Sequence, residues 1–444
     1  MMKLSVFMSP TGGHVGGWRL PEAICDAGYE VDRWVELARI AERGKIDMLF
    51  LADGNGVNGI DNPELLSRNP TTRPVVIEPV CLHSALAMVT TRIGLVATAT
   101  TTYDQPFTVA RRYAALDWLS KGRAGWNVVT SSNPDDAKNF GHLEHAGATR
   151  RYEMASEFVD VVKDLWDSWD DDAFLFDKEA GKFLDADKVR LLNHKGSHFS
   201  VRGPLNSARP PQGHPVVVVA SGSPDGMELA ARTADVIFTV AETKEAAQAF
   251  YADVKGRMAK YGRKPEDLVV MPGASVFVGA DEEAAERSYR VLQELIPDSV
   301  GMPTLGRLCG LDLSGFSPGD PLPPLPETKG ITSFRNLIET MARRDNLTMR
   351  ELYRRILPAR GHVLMKGSVE QVADIMQEWV ADKACDGFNL IAASLPDGLT
   401  ALVDLLIPEL QRRGLFRTEY EGSTLRDSLG LARPANRHFL EGAR

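Results

Sequence analysis

Polar side chains stand at the ends of several short apolar runs, where their type and position suit binding or catalysis. Asp53 directly follows the run LFLA, Thr98 and Thr100 lie in ATATTTYDQPF, and Asn127 lies inside AGWNVV. When parallel strands form a barrel, the residues that act on ligands lie at the carboxyl ends of the strands. These four residues are therefore candidates for a binding site.

Each of these residues also has a structural alternative. An acid such as Asp53 can bind the polar edge of a ring, take a proton or hold the start of a helix. The threonines suit strands and turns, and their hydroxyls can also hydrogen-bond a planar heterocycle. A buried amide such as Asn127 must find partners, so it either ties neighbouring strands together or binds the edge of a ligand. The sequence leaves these alternatives open.

A candidate anion site follows the run VVVVA in the string SGSPDG. Its backbone amides and the positive end of the helix that follows can face a monophosphate. Ser223 can also act as the N-cap of that helix, with Pro224 at the first helical position. Both roles can hold at once.

Other motifs of known chemistry are absent. The string GGHVGGWR has neither the G-x-G-x-x-G spacing of a dinucleotide fold nor the G-K-[ST] ending of a P-loop, so we expect neither site there. Its His14 and Trp18 either line a substrate mouth or lie in a mobile loop. His83, His142 and His145 form no HExxH or paired carboxylate–histidine spacing, so we predict no metal. The lack of a G-x-S-x-G elbow argues against a serine hydrolase.

Composition narrows the class of protein. The chain has 444 residues and a net charge of -9, which argues against nucleic acid or an anionic membrane as the main partner. Its four scattered cysteines form no C-x-x-C pair and fit a reducing cytoplasm. The first residues, MMKLSVFMSP, lack the apolar stretch of a signal peptide, and no apolar run of 18 residues suggests a membrane span.

The apolar runs alternate with amphipathic helical patterns, which is typical of βαβ units. The predicted strands are Ser5–Met8, Asp47–Ala52, Ile93–Ala99, Ala124–Val129, Val216–Ala220, Val236–Val240, Val269–Val278 and Phe388–Ala392. The predicted helices are Asp32–Arg43, Pro79–Thr90, Pro106–Leu119, Tyr152–Trp166, Gly226–Thr233, Glu242–Tyr261, Glu282–Leu295 and Leu399–Arg412. Eight such pairs predict an α/β fold of the TIM (β/α)₈ barrel type. A doubly wound open sheet has the same local signals.

We expect one barrel domain over residues 1–444, with insertions near 171–212 and 299–362. The first insertion contains a predicted hairpin, Leu191–Val201, with its turn near Asn193 to Gly196. The second reads as long and irregular and includes SPGDPLPPLPET, a string typical of stiff polyproline. Such a stretch in a compact domain is usually a lid, an interface or a disordered loop.

Long ordered strings add a resemblance. The string RIGLVATATTTYDQPFTVARRYAALDWLSKGRAGWNVVTS resembles the bacterial-luciferase-like superfamily. It is most similar to the nitrilotriacetate monooxygenase, pristinamycin synthase and dibenzothiophene-sulfone monooxygenase family. The similarity continues in IEPVCLHSALAMVT, in VVVVASGSPDGMELAARTADVIFT and in DGFNLIAASLPDGLTALVDLLIPELQRRGLFRTEYEGSTLRDSLGLARPAN. It covers nearly the whole chain and implies a luciferase-like barrel.

The resemblance implies contacts with FMN for residues that match the family's flavin site. They are Asp53, Thr98 or Thr100, Asn127, Tyr152 near the phosphate, and Ser223 on the phosphate. The chain departs from the family's H-x-x-R-Y pattern, because Ala148 stands where a histidine is common. Either His145 substitutes through a shifted loop, or the phosphate has one fewer donor.

The resemblance also implies a reaction. A separate NAD(P)H:flavin reductase supplies FMNH₂, which reacts with O₂ to a flavin hydroperoxide and inserts one oxygen atom into a small organic substrate. His14 is the best-placed candidate for a catalytic role, and self-association is expected. The alternatives are a deazaflavin-dependent oxidoreductase of the same superfamily, a flavin-binding protein without catalysis, and an unrelated barrel hydrolase or isomerase.

Overall fold

Eight parallel strands close into a barrel in the computed structural model, which describes residues 1–26, 28–57, 60–72, 75–325, 333–359 and 361–439. The strands in chain order are β1 (Lys3–Met8), β2 (Met48–Leu51), β3 (Gly94–Thr100), β4 (Ala124–Val129), β5 (Phe174–Asp177), β6 (Lys182–Leu184), β7 (His194–Lys195), β8 (Ser200–Val201), β9 (Val216–Ala220), β10 (Val236–Thr239), β11 (Val269–Gly279), β12 (Val363–Ser368) and β13 (Gly387–Ala392). The barrel runs β1-β2-β3-β4-β9-β10-β11-β13 and returns to β1.

Closure of this ring confirms the predicted (β/α)₈ barrel and excludes the open sheet. Val236 of β10 pairs with Val269 of β11, and Lys3 of β1 pairs with Gly387 of β13, so the ring has no free edge. The strands are near-continuous apolar runs because helices cover their outer faces while the barrel interior buries the inner ones. Each predicted strand matches an observed one to within about two residues.

Among the described residues, thirteen helices lie between the strands and three more follow β13. They are α1 (Val31–Arg43), α2 (Pro63–Arg68), α3 (Pro79–Ala87), α4 (Pro106–Leu119), α5 (Pro134–Asn139), α6 (Ala148–Trp166), α7 (Pro224–Thr233), α8 (Lys244–Arg257), α9 (Glu282–Glu294), α10 (Asp298–Cys309), α11 (Ser333–Arg344), α12 (Met349–Ile356), α13 (Val369–Ala381), α14 (Asp397–Ala401), α15 (Ile407–Arg412) and α16 (Leu425–Leu429). A π-helical segment, Leu402–Leu406, joins α14 to α15. Within the described ranges, no helix combines the length and the apolar character needed to cross a bilayer.

The first inserted segment contains two small hairpins. The predicted one is present as β7 and β8, which pair through His194 and Val201. Its turn lies at residues 196–199, later than predicted, and the hairpin formed by β5 and β6 was not predicted. Both hairpins lie between β4 and β9, where the chain leaves the barrel and returns to it.

The second inserted segment is largely helical, so its prediction as irregular was wrong. It contains α10, α11 and α12, which share a buried core. The members of that core include Val300, Leu305, Ile338, Met349, Leu352 and Tyr353. Residues 317–325 of the proline-rich string form no helix, and its residues 326–328 lie outside the described ones. That both segments are insertions on a single domain stays a prediction.

The carboxyl-terminal segment fills the amino-terminal end of the barrel. Leu425 and Leu429 of α16 pack against barrel residues such as Phe50. Arg417 forms a buried ion pair with Asp47, the residue before β2, and its Nη2 also donates to the Ser428 carbonyl at 2.6 Å. This end of the barrel is therefore a structural plug, and ligands must enter at the other end.

Candidate functional site

A cavity of about 700 Å³ opens at the carboxyl ends of β2, β3, β4 and β9. Its size falls in the range of pockets that hold cofactors and small ligands. Five of the predicted site residues line it: Asp53, Thr98, Thr100, Tyr152 and Ser223. The rule that barrel sites lie at the carboxyl ends of strands therefore located this cavity.

A chain of hydrogen bonds fixes the polar groups at the floor of this cavity. The Thr98 hydroxyl donates to the Leu51 carbonyl at 2.8 Å and accepts from Asn127 Nδ2 at 2.9 Å. Asn127 does not line the cavity, and its Oδ1 is buried without a partner among the residues that the structure describes. Asn127 thus ties strands together, as one of its two sequence alternatives proposed, and keeps one acceptor unused.

Thr100 is held in a different way at the end of the same strand. Its hydroxyl lies 2.8 Å from Ser131 Oγ, and it accepts the backbone N–H of Thr102 at 3.0 Å. Both threonines therefore present fixed side chains to the cavity. The geometry brings Thr98 and Thr100 to the site together, so it does not choose between them.

Three hydroxyls meet where α6 passes the start of α7. Tyr152 Oη lies 3.4 Å from Ser221 Oγ and 3.2 Å from Ser223 Oγ. Ser223 is the N-cap of α7, and its Oγ accepts the backbone N–H of Gly226 at 3.2 Å. A Cβ at Gly226 would lie 1.9 Å from Ser221 Oγ, so the cluster requires glycine there.

These long hydroxyl contacts at a helix N-terminus suit an anion. Distances of 3.2 to 3.4 Å between hydroxyl oxygens exceed the usual 2.7 to 2.8 Å,. Oxygens held at such spacing can turn their protons toward a ligand, and the helix dipole favours negative charge at the same place. Capping and anion binding are thus compatible at Ser223, as the sequence suggested.

His145 is committed to its own loop. Its Nε2 lies 2.7 Å from the Asn133 carbonyl, which can only accept, so Nε2 donates. Its Nδ1 lies 2.6 Å from the Tyr103 hydroxyl, within hydrogen-bond distance. Neither ring nitrogen is left for a phosphate, and His145 does not line the cavity, whereas Ala148 does. The assignment of His145 to the phosphate stays a prediction, and these contacts disfavour it.

Arg151 brings a positive charge to the cavity that the sequence reading did not assign. It lies one residue before Tyr152 on α6 and lines the cavity beside Ala148. Its Nη1 donates to the Ala146 carbonyl. Its Nε is buried and has no partner in the described part of the chain. The guanidinium therefore keeps donors in reserve next to the hydroxyl cluster.

Acidic groups also line the cavity. Burial raises the pKa of Asp104, although Arg112 beside it, 3.3 Å away, acts in the other direction. Burial also raises the pKa of Asp136. No cluster of metal-binding side chains occurs in the described ranges. The cavity thus combines a donor-rich end at α7 with an acidic wall.

His14 lies outside both ligand-sized cavities at this end of the barrel. Its Nδ1 accepts the backbone N–H of Gly16 at 3.0 Å, and its Nε2 lies 3.3 Å from the side-chain amide of Gln293. Burial lowers the pKa of His14 to about 4, so the ring is neutral at physiological pH. Its catalytic role stays a prediction, and these contacts favour a structural one.

A second cavity, of about 380 Å³, adjoins the first at the end of β9, where Ala220 lines both. One wall is aromatic: Phe7 and Phe238 line it with ring centroids 6.1 Å apart, and both rings contact Phe50 at 5.5 to 5.7 Å. The His362 ring stacks on Phe238 with centroids 5.5 Å apart and planes at 20°. The sequence analysis did not predict this cavity, because His362 falls in the segment predicted to be irregular.

Comparison with known proteins places the whole chain. The profile of the family described as Luciferase-like monooxygenase matches residues 2–381. The chain is 50% identical over 440 residues to the N-acetyl-S-(2-succino)cysteine monooxygenase of Bacillus subtilis (strain 168), covering 98% of each. It is 49% identical over 444 residues to nitrilotriacetate monooxygenase component A of Aminobacter aminovorans, covering 98% of this chain and 97% of that one.

Solved structures share the fold over nearly the whole length of this chain. The crystal structure of a riboflavin lyase with modified FMN and its substrate riboflavin superposes with a TM-score of 0.83. The two chains are 28% identical, over 99% of this chain and 98% of the lyase. A relative of this fold thus holds a flavin.

Proposed function

This chain belongs to the luciferase-like monooxygenase family and is a flavin-dependent monooxygenase; we propose that it uses FMNH₂ made by a separate reductase. One oxygen atom of O₂ enters a small organic substrate, and the other leaves as water. The observation that carries the choice of FMN is the cluster of Tyr152, Ser221 and Ser223 at the start of α7. It offers a monophosphate three hydroxyls and a helix N-terminus.

The residues present fit a flavin mononucleotide. FMN, when bound, supplies the redox chemistry, and the protein supplies binding, orientation and exclusion of water. Tyr152 and Ser223 would hold the phosphate. Thr98 or Thr100 would offer hydrogen bonds to the polar edge of the ring, and Asn127 would orient Thr98 from behind through its own hydrogen bond to that hydroxyl. Asp53, which lines the cavity at the end of β2, would contact the flavin.

Arg151 supplies the charge that the replaced histidine position lacks. Ala148 has no donor, and both nitrogens of His145 are engaged. Arg151 lines the same cavity, carries a permanent charge and holds a buried Nε–H without a partner in the described residues. Guanidinium groups bind phosphate through short, charge-assisted hydrogen bonds. The phosphate therefore keeps one cationic donor on α6.

The partners follow from the same proposal. An NAD(P)H:flavin reductase is required because this chain shows no dinucleotide fingerprint. The Aminobacter relative is a component A by name, which fits such a two-component arrangement. A cytoplasmic location, with scattered free cysteines, fits a reductase that draws on NAD(P)H,.

We also propose that the chain self-associates through the surface around the β5–β6 hairpin. Phe176 and Phe183 there are 61% and 64% exposed, and Trp118 beside them is 50% exposed. Contiguous exposed apolar surface of this kind marks an interaction site. Analytical ultracentrifugation of the purified chain tests this. An oligomer that Phe176→Ser dissociates is expected, and a monomer at micromolar concentration contradicts it.

The function is tested by anaerobic titration of the purified protein with FMNH₂, oxidised FMN and a reduced deazaflavin. FMNH₂ is expected to bind most tightly, because the hydroxyl cluster and Arg151 favour a monophosphate. Rapid mixing of that complex with oxygenated buffer is expected to show a transient absorbance that belongs to neither reduced nor oxidised FMN.

Each alternative gives a different result in the same experiment. Preferential binding of the deazaflavin would move the assignment to hydride transfer. Tight binding of FMNH₂ with no transient, and no oxygen consumed beyond the free-flavin rate, would indicate a flavin-binding protein without catalysis.

A further inference from the structure

We propose that the second cavity is the substrate pocket and that it selects a small carboxylic acid through the hydroxyl of Thr239 and the imidazole of His362. This inference rests on the proposed function, because it places the substrate beside a flavin held in the first cavity. Ala220 lines both cavities, and the next residues, Ser221 and Gly222, line the second. Ala52 of the second cavity directly precedes Asp53 of the first, so the two ligands would meet at the end of β2, away from the phosphate.

Thr239 is the polar group of this cavity that most requires a ligand. It is the last residue of β10, and only 4% of it is exposed. Its Oγ1 has no hydrogen-bond partner among the residues that the structure describes, and it lines the cavity. Buried hydroxyls in proteins are normally paired, so this one points to a bound group that accepts or donates a hydrogen bond.

The backbone around His362 fixes where its ring can lie. The ring stacks on Phe238 of the strand that carries Thr239, and its backbone N–H donates to the Ala359 carbonyl at 2.8 Å. A Cβ at Gly273 of β11 would lie 2.3 Å from His362 Nδ1, so the ring occupies space that only glycine leaves open. His362 therefore presents a fixed polar edge to the same cavity as Thr239.

The polar groups that line the cavity favour an acid as the ligand. Among its described lining residues there is no aspartate or glutamate, in contrast to the first cavity. Ser9 adds another hydroxyl to the lining, whereas the Thr71 hydroxyl donates to Asn69 Oδ1 at 2.6 Å. Hydrogen-bond donors without a competing carboxylate suit an oxyanion, whereas a cationic substrate would need acidic partners.

The remaining lining residues indicate the chemical character of the rest of the substrate. Phe7, Ile391 and Val240 give the cavity an apolar lining. An apolar pocket with a few placed polar groups binds a small organic body and orients it through those groups. The substrate is therefore a compact acid whose carboxylate is fixed at Thr239 and His362.

The test is isothermal titration calorimetry with two acids that relatives are named for, N-acetyl-S-(2-succino)cysteine and nitrilotriacetate. The uncharged nitrilotriacetamide serves as the matched ligand. Titrations use the full chain, alone and with FMN, as wild type and as Thr239→Val and His362→Phe. Phenylalanine keeps the stack on Phe238 and removes the ring nitrogens. Thr233→Val is the control, because the Thr233 hydroxyl bonds the Leu229 carbonyl within α7.

At least one acid is expected to bind wild type and Thr233→Val equally. Thr239→Val and His362→Phe should each weaken that binding about tenfold, since each removes one hydrogen bond to a charged group. The amide should bind at least tenfold more weakly than its acid. FMN affinity should be unchanged in both variants, which separates a pocket effect from misfolding.

Failure of both acids to bind the wild type, or equal binding of acid and amide, overturns the inference. So does unchanged acid binding in Thr239→Val and His362→Phe. These outcomes leave the proposed function standing, because it is judged on FMNH₂ binding and the oxygen reaction of the wild type. If the wild type binds an acid but neither binds FMNH₂ nor shows the oxygen reaction, the proposed function is contradicted and the acid site is not.

Discussion

Replacing Asp47 by alanine is expected to lower the free energy of unfolding by about 3 to 5 kcal/mol, as for other buried ion pairs that lose one partner. Asp47 is fully buried, and the Arg417 side chain is 4% exposed. The carboxylate also accepts the Leu4 backbone N–H at 2.7 Å. Its removal leaves a guanidinium uncompensated at the plug of the barrel and a strand N–H unpaired.

Urea denaturation followed by circular dichroism measures this loss. Glu36→Ala is the matched control, because Glu36 pairs with Arg33 on the surface, where such a pair contributes about 0.2 to 1 kcal/mol. The double variant Asp47→Val with Arg417→Met should lose less stability than Asp47→Ala alone, since an apolar pair leaves no buried charge. A loss below about 1 kcal/mol for Asp47→Ala would contradict the role assigned to this pair.

The barrel could be predicted from the sequence because its strands are locally unambiguous. The run Val216–Val219 is apolar at every position and fully buried or nearly so, as expected where both faces of a strand are covered,. The strand β12 was missed because its sequence, VLMKGS, has only three apolar residues before a lysine and a glycine. It pairs only with the far end of β11, outside the ring.

The helices of the second inserted segment escaped prediction for a different reason. Helix α10 contains Gly301, Pro303 and Gly306, residue types that disfavour helices when a chain is read locally,. Tertiary packing overrides that preference: a Cβ at Gly301 would lie 2.4 Å from the Tyr353 ring, so the glycine permits close contact between α10 and α12. Contacts of this kind join residues far apart in the chain, and a local pattern does not contain them.

At the site, too, local patterns predicted some residues, whereas others depend on contacts that only the folded chain shows. Thr98, Thr100 and Ser223 line one cavity, as their positions at strand and helix ends predicted, and Tyr152, which only the resemblance indicated, lines it with them. Arg151 stands at the arginine of the H-x-x-R-Y pattern, which is the one sequence signal that separates it from Arg150. The pattern assigned it no contact, and the structure adds the direction of each side chain: Arg151 lines the cavity, whereas Arg150 is exposed.

The phosphate end of the cavity gives the second large expected effect. Arg151→Met should raise the dissociation constant of FMNH₂ about tenfold to one hundredfold, because a charge-assisted hydrogen bond contributes roughly 1.5 to 3 kcal/mol. Ser223→Ala should weaken binding in the same direction, since it removes a phosphate donor and the N-cap of α7,. Neither change should affect reduced riboflavin, which has no phosphate.

Anaerobic fluorescence titrations of both reduced flavins into wild type, Arg151→Met, Ser223→Ala and the control Arg150→Met measure this. The dissociation constant of reduced riboflavin divided by that of FMNH₂ isolates the contribution of the phosphate, because damage to the rest of the site would weaken the binding of both flavins alike. A ratio that falls in Arg151→Met and stays at the wild-type value in Arg150→Met assigns the charge to Arg151. An unchanged ratio in Arg151→Met would return the role to His145, through a rearranged loop that frees its ring from Tyr103 and Asn133.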